Sequence, residues 1–232
     1  MMRLLALLLL LVGVAVFVCN SGSSEGGWQD HWWAGVEPHT RPYMASLNYG
    51  YHFCGGVLIN DQWVLSVAHC WYNPYAMQIM LGEHDLHTGL RHHADQTVSP
   101  GEGDRSSGPI SLPTGCPYDG LLCSVSGWGK TSTEEGAILP TRLQCLDVPV
   151  LSDAECEKAY PGMISRRMMC AGYLDGGRDA CNGDSGSPLV CYEEVHGLVS
   201  WGQGCALPNY PGVYVKVCEF LPWIQETLEA YK

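Results

Sequence analysis

The twelve cysteines of this chain constrain its fold more than any other feature, because an apolar leader at the N-terminus indicates a compartment in which cysteines form disulfides. Arg3 precedes an uninterrupted apolar run at 4–18, and small and polar residues follow at 19–24, as in a secretory signal. We predict a signal over residues 1–23, removed after Ser21 or Ser23, and one domain over residues 24–232. A secreted, extracellular location permits disulfides, so the cysteines predict a disulfide framework whose pairing the spacing alone leaves open.

Short apolar runs separated by turn residues dominate the chain after residue 43. Residues 53–59 and 63–67 are rich in apolar and β-branched side chains, and Asn60 and Asp61 join them, which predicts a β-hairpin. Similar runs recur along the chain, so the pattern predicts an all-β fold. The C-terminus is the exception. Five apolar residues at helical spacing there predict an amphipathic α-helix packed on the core: Phe220, Trp223, Ile224, Leu228 and Tyr231.

The net charge narrows the classes of partner. A formal charge of -12 argues against nucleic-acid binding, which depends on an excess of Lys and Arg near phosphates. The acidic balance suits a cationic partner, although solubility alone also explains it. After the leader, no apolar run is long enough to span a bilayer, so no membrane partner is predicted.

A histidine-rich segment follows Glu83. Histidine and carboxylate side chains together can bind a transition metal. The spacing here matches no tight ligand template, so we interpret the segment as a solvated loop and predict neither a metal nor a cofactor. The residues concerned are His84, His87, His92, His93 and Asp95.

A serine lies in a turn between glycines in the sequence Gly-Asp-Ser-Gly at 183–186. A serine hydroxyl attacks a carbonyl only with a base within hydrogen-bond reach and with donors aimed at the developing oxyanion. The amides of Gly183 and Ser185 are candidate donors, and His69, at the end of an apolar run, is the candidate base. Each signal alone is weak, because Gly, Asp and Ser are ordinary turn residues and a histidine after a buried strand is often structural.

Together, these two segments resemble the trypsin-like (chymotrypsin-fold) serine proteases, and the resemblance covers most of the chain after residue 38. Further blocks that carry it are Cys-Gly-Gly-Val-Leu-Ile at 54–59, Val-Ser-Gly-Trp-Gly at 125–129, Met-Cys-Ala-Gly-Tyr at 169–173, Val-Ser-Trp-Gly at 199–202 and Pro-Gly-Val-Tyr at 211–214. The resemblance implies two antiparallel β-barrels of the six-stranded type with a C-terminal α-helix. It also implies a monomeric endopeptidase whose partners are protein or peptide substrates and protein protease inhibitors.

The same resemblance implies the roles of the site residues. Ser185 corresponds to the nucleophile and to one of the two oxyanion-hole amides, and His69 corresponds to the general base and acid. Asp179 corresponds to the carboxylate at the base of the specificity pocket, with Gly202 and Gly212 lining its walls. A buried carboxylate there selects Arg or Lys, because only a basic side chain forms a charged hydrogen-bonded pair with it.

The resemblance also implies a disulfide pairing. It joins Cys54 to Cys70, Cys116 to Cys218, Cys123 to Cys191, Cys156 to Cys170 and Cys181 to Cys205. Cys145 is then left over, because the family's partner position falls near Ala34 and Cys19 lies in the predicted signal. We therefore predict a free or intermolecular thiol at Cys145.

The start of the domain departs from the family pattern. After cleavage behind a basic residue, relatives begin with an Ile-Val-Gly-Gly-like segment whose ammonium pairs with the aspartate before the nucleophile, here Asp184. This chain has Asp-His-Trp-Trp at 30–33, and no Lys or Arg directly precedes it. The sequence thus predicts that the activation switch is absent and that Asp184 lacks its ammonium partner. An unpaired buried carboxylate shifts its pKa or reorganises its surroundings.

The third triad residue is the second departure. Relatives carry it on an Asp-Ile-x-Leu-like strand, whereas here a Gly- and Ser-rich stretch at 99–108 leads directly into Pro109. We predict that this strand is missing and that the first barrel is incomplete. Asp104 could swing toward His69, but a buried orienting carboxylate needs a rigid support. The other acids nearby are Asp85, Asp95 and Glu102.

Three explanations of the chain remain open. The first is a secreted serine endopeptidase of trypsin-like specificity that uses Ser–His nucleophilic catalysis. The second is a catalytically impaired homologue that binds a protein or peptide through the surviving pocket. The third is an incomplete gene product, which the abrupt join between Val98 and Pro109 and the Trp-rich start favour. Labelling of Ser185 by a fluorophosphonate would separate the first from the second, and the transcript across codons 95 to 112 tests the third.

Overall fold

The computed structural model describes residues 19, 33–87, 90–93, 107–133 and 136–231, and these form two antiparallel sheets. In chain order the strands are β1 (Ala34–Gly35), β2 (Met44–Asn48), β3 (His52–Asn60), β4 (Trp63–Leu65), β5 (Gln78–Leu81), β6 (Leu90–His93), β7 (Leu122–Gly127), β8 (Gln144–Pro149), β9 (Met168–Ala171), β10 (Pro188–Cys191), β11 (Glu194–Trp201) and β12 (Gly212–Lys216). Two α-helices are present in this part of the chain, α1 (Asp153–Ala159) and α2 (Leu221–Ala230). The predicted all-β fold with a C-terminal helix is confirmed.

The first sheet has the strand order β4-β3-β2-β5-β6. The predicted hairpin is confirmed with its turn shifted by one residue, because Asn60 at the end of β3 pairs with Trp63 in β4 and the turn consists of Asp61 and Gln62. The interpretation of the histidine-rich segment as a solvated loop is wrong in part, since His92 and His93 lie in β6, which pairs with β5. Among the described residues, β4 and β6 each pair with one neighbour, so this sheet has five strands and two open edges, in agreement with the predicted incomplete first barrel.

The second sheet has the strand order β1-β8-β7-β10-β11-β12-β9. β8 and β9 approach each other, because the amide of Leu151 after β8 donates to Cys170 O in β9 (2.9 Å) and that of Gly172 after β9 donates to Pro149 O in β8 (3.0 Å). β1 adds a seventh strand along β8, pairing Ala34 with Cys145. The N-terminal segment is thereby fixed to the second sheet.

The two largest apolar clusters lie within the second sheet and between the two sheets. One lies inside the second sheet, and the other joins side chains of β2 and β3 to β11 and α2, including Val57, Val195 and Ile224. Burial of this apolar area is the main stabilising term for such a fold. The seam between the two sheets therefore has a rigid base.

α1 begins with local hydrogen bonds, whereas α2 packs one face on the core. α1 begins at a capping box in which Ser152 Oγ accepts from the Glu155 amide (3.2 Å) and the Glu155 carboxylate accepts from the Ser152 amide (3.1 Å). α2 buries Ile224, but Trp223 is 57% exposed and Tyr231 is 71% exposed, so the expectation that these two residues pack on the core is wrong. Within the described part of the chain, no helix is long and apolar enough to cross a membrane.

All twelve cysteines are among the described residues, and they form six disulfides. Five are the pairs that the resemblance implied, Cys54–Cys70, Cys116–Cys218, Cys123–Cys191, Cys156–Cys170 and Cys181–Cys205. The sixth joins Cys19 to Cys145, so the prediction of a free or intermolecular thiol at Cys145 is wrong. The Cys19 amide also donates to the Asp147 carboxylate at 3.0 Å. The predicted signal had excluded Cys19 from the domain, which is why the pairing was missed.

This pairing predicts the thiol content of the purified protein. We expect a maleimide to label no cysteine in the denatured, unreduced chain and to label twelve after reduction. Intact-mass spectrometry measures both numbers. A chain cut after Ser21 or Ser23 would lose Cys19 and show one reactive thiol at Cys145, which would contradict the Cys19–Cys145 bond.

Candidate active site

The seam between the sheets brings the two predicted catalytic segments together. His69 lies in a one-turn 3-10 helix, Ala68–Cys70, that the Cys54–Cys70 disulfide ties to β3. The Gly55 amide in β3 donates to Ser185 O (2.8 Å), and Cys70 Sγ lies 3.5 Å from the same oxygen. The backbone around the nucleophile candidate is thus fixed to the segment that carries the histidine.

The side chains of the predicted pair are less constrained than their backbones. His69 is exposed, and Ser185 is half-buried. Among the described residues, no carboxylate forms an ion pair or hydrogen bond with His69. Asp85 faces Arg142 instead, at 3.8 Å. The remaining acids considered from the sequence, Asp95, Glu102 and Asp104, lie outside the described residues.

The direction of the Gly183 amide is set by its neighbours. Asn182 O accepts from the Lys130 amide (2.9 Å), and in a trans peptide the following N–H points the opposite way. Gly183 has φ 101°, a backbone conformation that side-chain-bearing residues rarely adopt. The Gly183 carbonyl accepts from His52 Nε2 (2.9 Å), and Nδ1 of the same ring accepts from Ser46 Oγ (2.8 Å). Burial lowers the pKa of His52, which keeps the ring neutral, so Nε2 can donate a hydrogen bond while Nδ1 accepts one.

Two amides of the turn are left available as donors. The amides of residues 184, 186 and 187 donate to the carbonyls of Cys181, Val199 and Asp184. In the described part of the chain, the amides of Gly183 and Ser185 have no such acceptor. These are the two groups that the sequence predicted as an oxyanion hole. Two free N–H groups beside a serine can stabilise a developing alkoxide.

The carboxylate of Asp184 stabilises this turn through two backbone hydrogen bonds. It is fully buried and accepts from the Gly129 amide (2.8 Å) and the Cys181 amide (3.0 Å). A side chain at Gly127 or Gly129 would overlap it. Burial raises the pKa of Asp184 to about 7. No cation among the described residues pairs with the carboxylate to offset this effect.

Asp179 forms the second buried carboxylate. It is 3% exposed, and its oxygens accept from the amides of Ala180 (2.8 Å) and Ala206 (3.1 Å). Burial raises the pKa of Asp179 to about 6. A Cβ at Gly212 would lie 2.7 Å from its Oδ1, so the glycine keeps the space beside the carboxylate open. Gly202 is exposed and lies farther out.

Sequence reasoning missed residues that shape this pocket. Tyr160 Oη donates to Pro211 O (2.7 Å), which holds the chain leading into Gly212. The Tyr214 ring packs beside Gly212 and is fully buried, and burial raises the pKa of Tyr214 well above its usual value. Residues two apart in a strand share a face, so the Pro-Gly-Val-Tyr block could have revealed Tyr214.

Comparison with known proteins assigns the family. A family model described as Trypsin matches residues 34–100 and 95–224. The chain belongs to the trypsin family. The two matched pieces meet at residues 95–100, next to the place where the sequence lacks the expected triad strand.

Curated trypsins resemble the chain over most of its length. A trypsin of Pleuronectes platessa is 59% identical over 256 aligned positions, which cover 99% of this chain and all of the relative. Trypsin II-P29 of Gallus gallus is 44% identical with the same coverage, and a trypsin of Squalus acanthias is 47% identical over 82% of this chain and 92% of the relative. The 256 aligned positions exceed the 232 residues of the chain, so this trypsin-family member lacks residues that the Pleuronectes trypsin has. By family resemblance it is a serine endopeptidase.

Proposed function

We propose that this trypsin-family protein is a secreted endopeptidase that cleaves after Arg or Lys. The buried carboxylate of Asp179 carries the proposal. Within the described ranges its oxygens accept two backbone hydrogen bonds, and Gly212 leaves room beside them. A carboxylate with remaining acceptor capacity in such a site favours a cationic side chain over a neutral one.

The proposed chemistry is acyl transfer. Ser185 Oγ attacks the scissile carbonyl carbon while His69 takes the hydroxyl proton, and the oxyanion accepts hydrogen bonds from the amides of Gly183 and Ser185. His69 then gives the proton to the leaving amine as the C–N bond breaks. His69 then takes a proton from water as the water oxygen attacks the acyl-enzyme ester, and it returns that proton to Ser185 Oγ as the ester C–O bond breaks and the acid product leaves.

The rate of this reaction depends on what orients His69. In the serine-protease template, loss of the carboxylate behind the histidine lowers turnover by about 10⁴, and this magnitude comes from that template. The described part of the chain offers His69 no such carboxylate. We therefore propose slow turnover carried by the nucleophile, the two amides and the Asp179 pocket.

Replacing Ser185 with alanine tests the proposal. Once one member of a catalytic triad is missing, removing another costs far less than it would in the complete triad. We expect Ser185→Ala to lower kcat for an arginine anilide by about 10²-fold while the binding of benzamidine, a small arginine mimic, stays unchanged. The measurement uses the purified, disulfide-intact chain. Equal hydrolysis by both proteins would mean that Ser185 is not the nucleophile.

A second candidate function is binding without catalysis, and the unpaired state of His69 among the described residues favours it. A homologue of this kind would hold an Arg or Lys side chain of a protein in the Asp179 pocket. The same assay separates the two functions. Benzamidine binding with no measurable hydrolysis by either the wild-type chain or Ser185→Ala identifies the binding protein.

For the leader, we propose a shorter signal than the sequence suggested. Cys19 is bonded to Cys145, so a secreted chain that keeps this bond is cut before Cys19. N-terminal sequencing of the secreted protein locates the cut.

We propose a monomer that acts on protein or peptide substrates and binds protein protease inhibitors.

A further inference from the structure

Trp33 contacts the backbone of Asp179, the residue whose carboxylate the proposed specificity requires. Its indole is 6% exposed and belongs to the apolar cluster of the second sheet, together with Ala180 and Tyr214. Its Nε1–H donates to Asp179 O at 3.2 Å, in a buried contact between residues far apart in sequence. The sequence had marked this stretch only as a departure from the family pattern.

The backbone that presents Trp33 is fixed. β1 begins one residue later and pairs with β8, and the Val36 amide donates to Leu143 O at 3.1 Å. The indole therefore approaches Asp179 from the residue that precedes a strand of the second sheet. A side chain next to a paired strand and inside a packed cluster keeps a defined rotamer.

One peptide group links Trp33 to the pocket. The carbonyl of Asp179 accepts from the indole, and the Ala180 N–H of the same peptide donates to Asp179 Oδ1 (2.8 Å). Because a peptide group is planar, fixing its carbonyl also fixes the direction of its N–H. Hydrogen bonding at the carbonyl also polarises the N–H and strengthens its bond to the carboxylate.

We propose that Trp33 is a positioning residue for the specificity pocket, which orients the Asp179 carboxylate through the peptide between Asp179 and Ala180. This proposal rests on the proposed function and adds a specificity-determining residue to it. Trp33 supports the pocket from an internal side chain. Relatives, by the resemblance described above, obtain pocket order from a new terminal ammonium.

The test replaces Trp33 with phenylalanine in the full disulfide-bonded chain and measures benzamidine binding. Phenylalanine keeps most of the buried ring but removes the N–H. We expect the Kd for benzamidine to rise about three- to tenfold, as for the loss of one buried hydrogen bond. The matched control is Trp223→Phe, which changes an exposed tryptophan on α2 and is expected to leave the Kd unchanged.

A pH profile separates positioning from general destabilisation. The Ala180 amide holds the pKa of Asp179 down, so weakening this bond shifts the acid limb of benzamidine binding to higher pH. Among the described titratable groups, those that act electrostatically with Asp179 are Asp184, Tyr160 and Tyr214, and the two tyrosines stay neutral across the acid limb. A variant that was merely less stable would keep the wild-type limb.

The outcomes are distinct. If wild type binds benzamidine and Trp33→Phe binds it equally well with the same pH limb, the inference is overturned while the proposed specificity stands. If wild type does not bind benzamidine, the proposed specificity itself fails. If Trp33→Phe does not fold, indole hydrogen exchange in wild type decides, because coupling is reciprocal and benzamidine must then slow exchange at Trp33. Unchanged exchange would overturn the inference.

Discussion

Replacement of Asp179 by serine is expected to weaken benzamidine binding by about 10²- to 10³-fold. Truncating one partner of a buried, hydrogen-bonded charge pair costs about 2–5 kcal/mol, because the other charge is left buried and unpaired. Asp179 is 3% exposed, so solvent cannot replace it as the partner of an amidinium group. Fluorescence titration with aminobenzamidine measures the loss directly and does not depend on catalysis.

The control for this experiment is an exposed acid in the same loop. Asp175→Ser changes the net charge by the same amount, but Asp175 is exposed and lies outside the pocket. We expect its benzamidine Kd to stay within about twofold of wild type, as for most surface substitutions. Equal weakening by both variants would show that the general negative field of the protein, and not the pocket, binds the cation.

The second large effect is a loss of stability as pH rises. The pKa of Asp184 is about 7 in the folded chain and near 3.8 when unfolded, so between these values the folded state binds more protons. The unfolding free energy therefore falls as pH rises through this range, by about 4 kcal/mol for Asp184 alone. The pKa of Asp179, raised to about 6, changes the stability in the same direction.

Guanidinium unfolding at several pH values between 4.5 and 8 measures this dependence. Asp184→Asn removes the titrating group, so its unfolding free energy should fall less over that interval, by several kcal/mol. Asp119→Asn, at an exposed loop position, should keep the wild-type pH dependence. If Asp184→Asn and wild type show parallel pH profiles, an additional cation pairs with Asp184 in the folded protein.

Much of the fold could be predicted because its signals are local. The hairpin turn and the β-rich runs around it depend on neighbouring residues, and the structure has the corresponding strands, with the turn at Asp61 and Gln62. The packing of Trp223 failed for a geometric reason. At about 100° per residue, Trp223 lies at the edge of the stripe that Ile224 and Leu228 define, so it faces solvent.

The features that sequence could not supply are long-range. Cys19 pairs with Cys145 across 126 residues, and the apolar leader around Cys19 disguised it as part of a removed segment. Trp33 gave no signal, because a buried indole in a stretch without strand alternation looks like any other aromatic residue. The site blocks named Asp179 and Ser185, but the backbone donors around them come from separate parts of the chain.

The bond between the Lys130 amide and Asn182 O has a consequence for control of the molecule. It sets the Gly183 N–H direction from inside the folded chain, together with the support that Asp184 gives to the same turn. The orientation of this oxyanion donor therefore depends on the loop that carries Lys130. A substitution in that loop would change the donor without touching the catalytic segments.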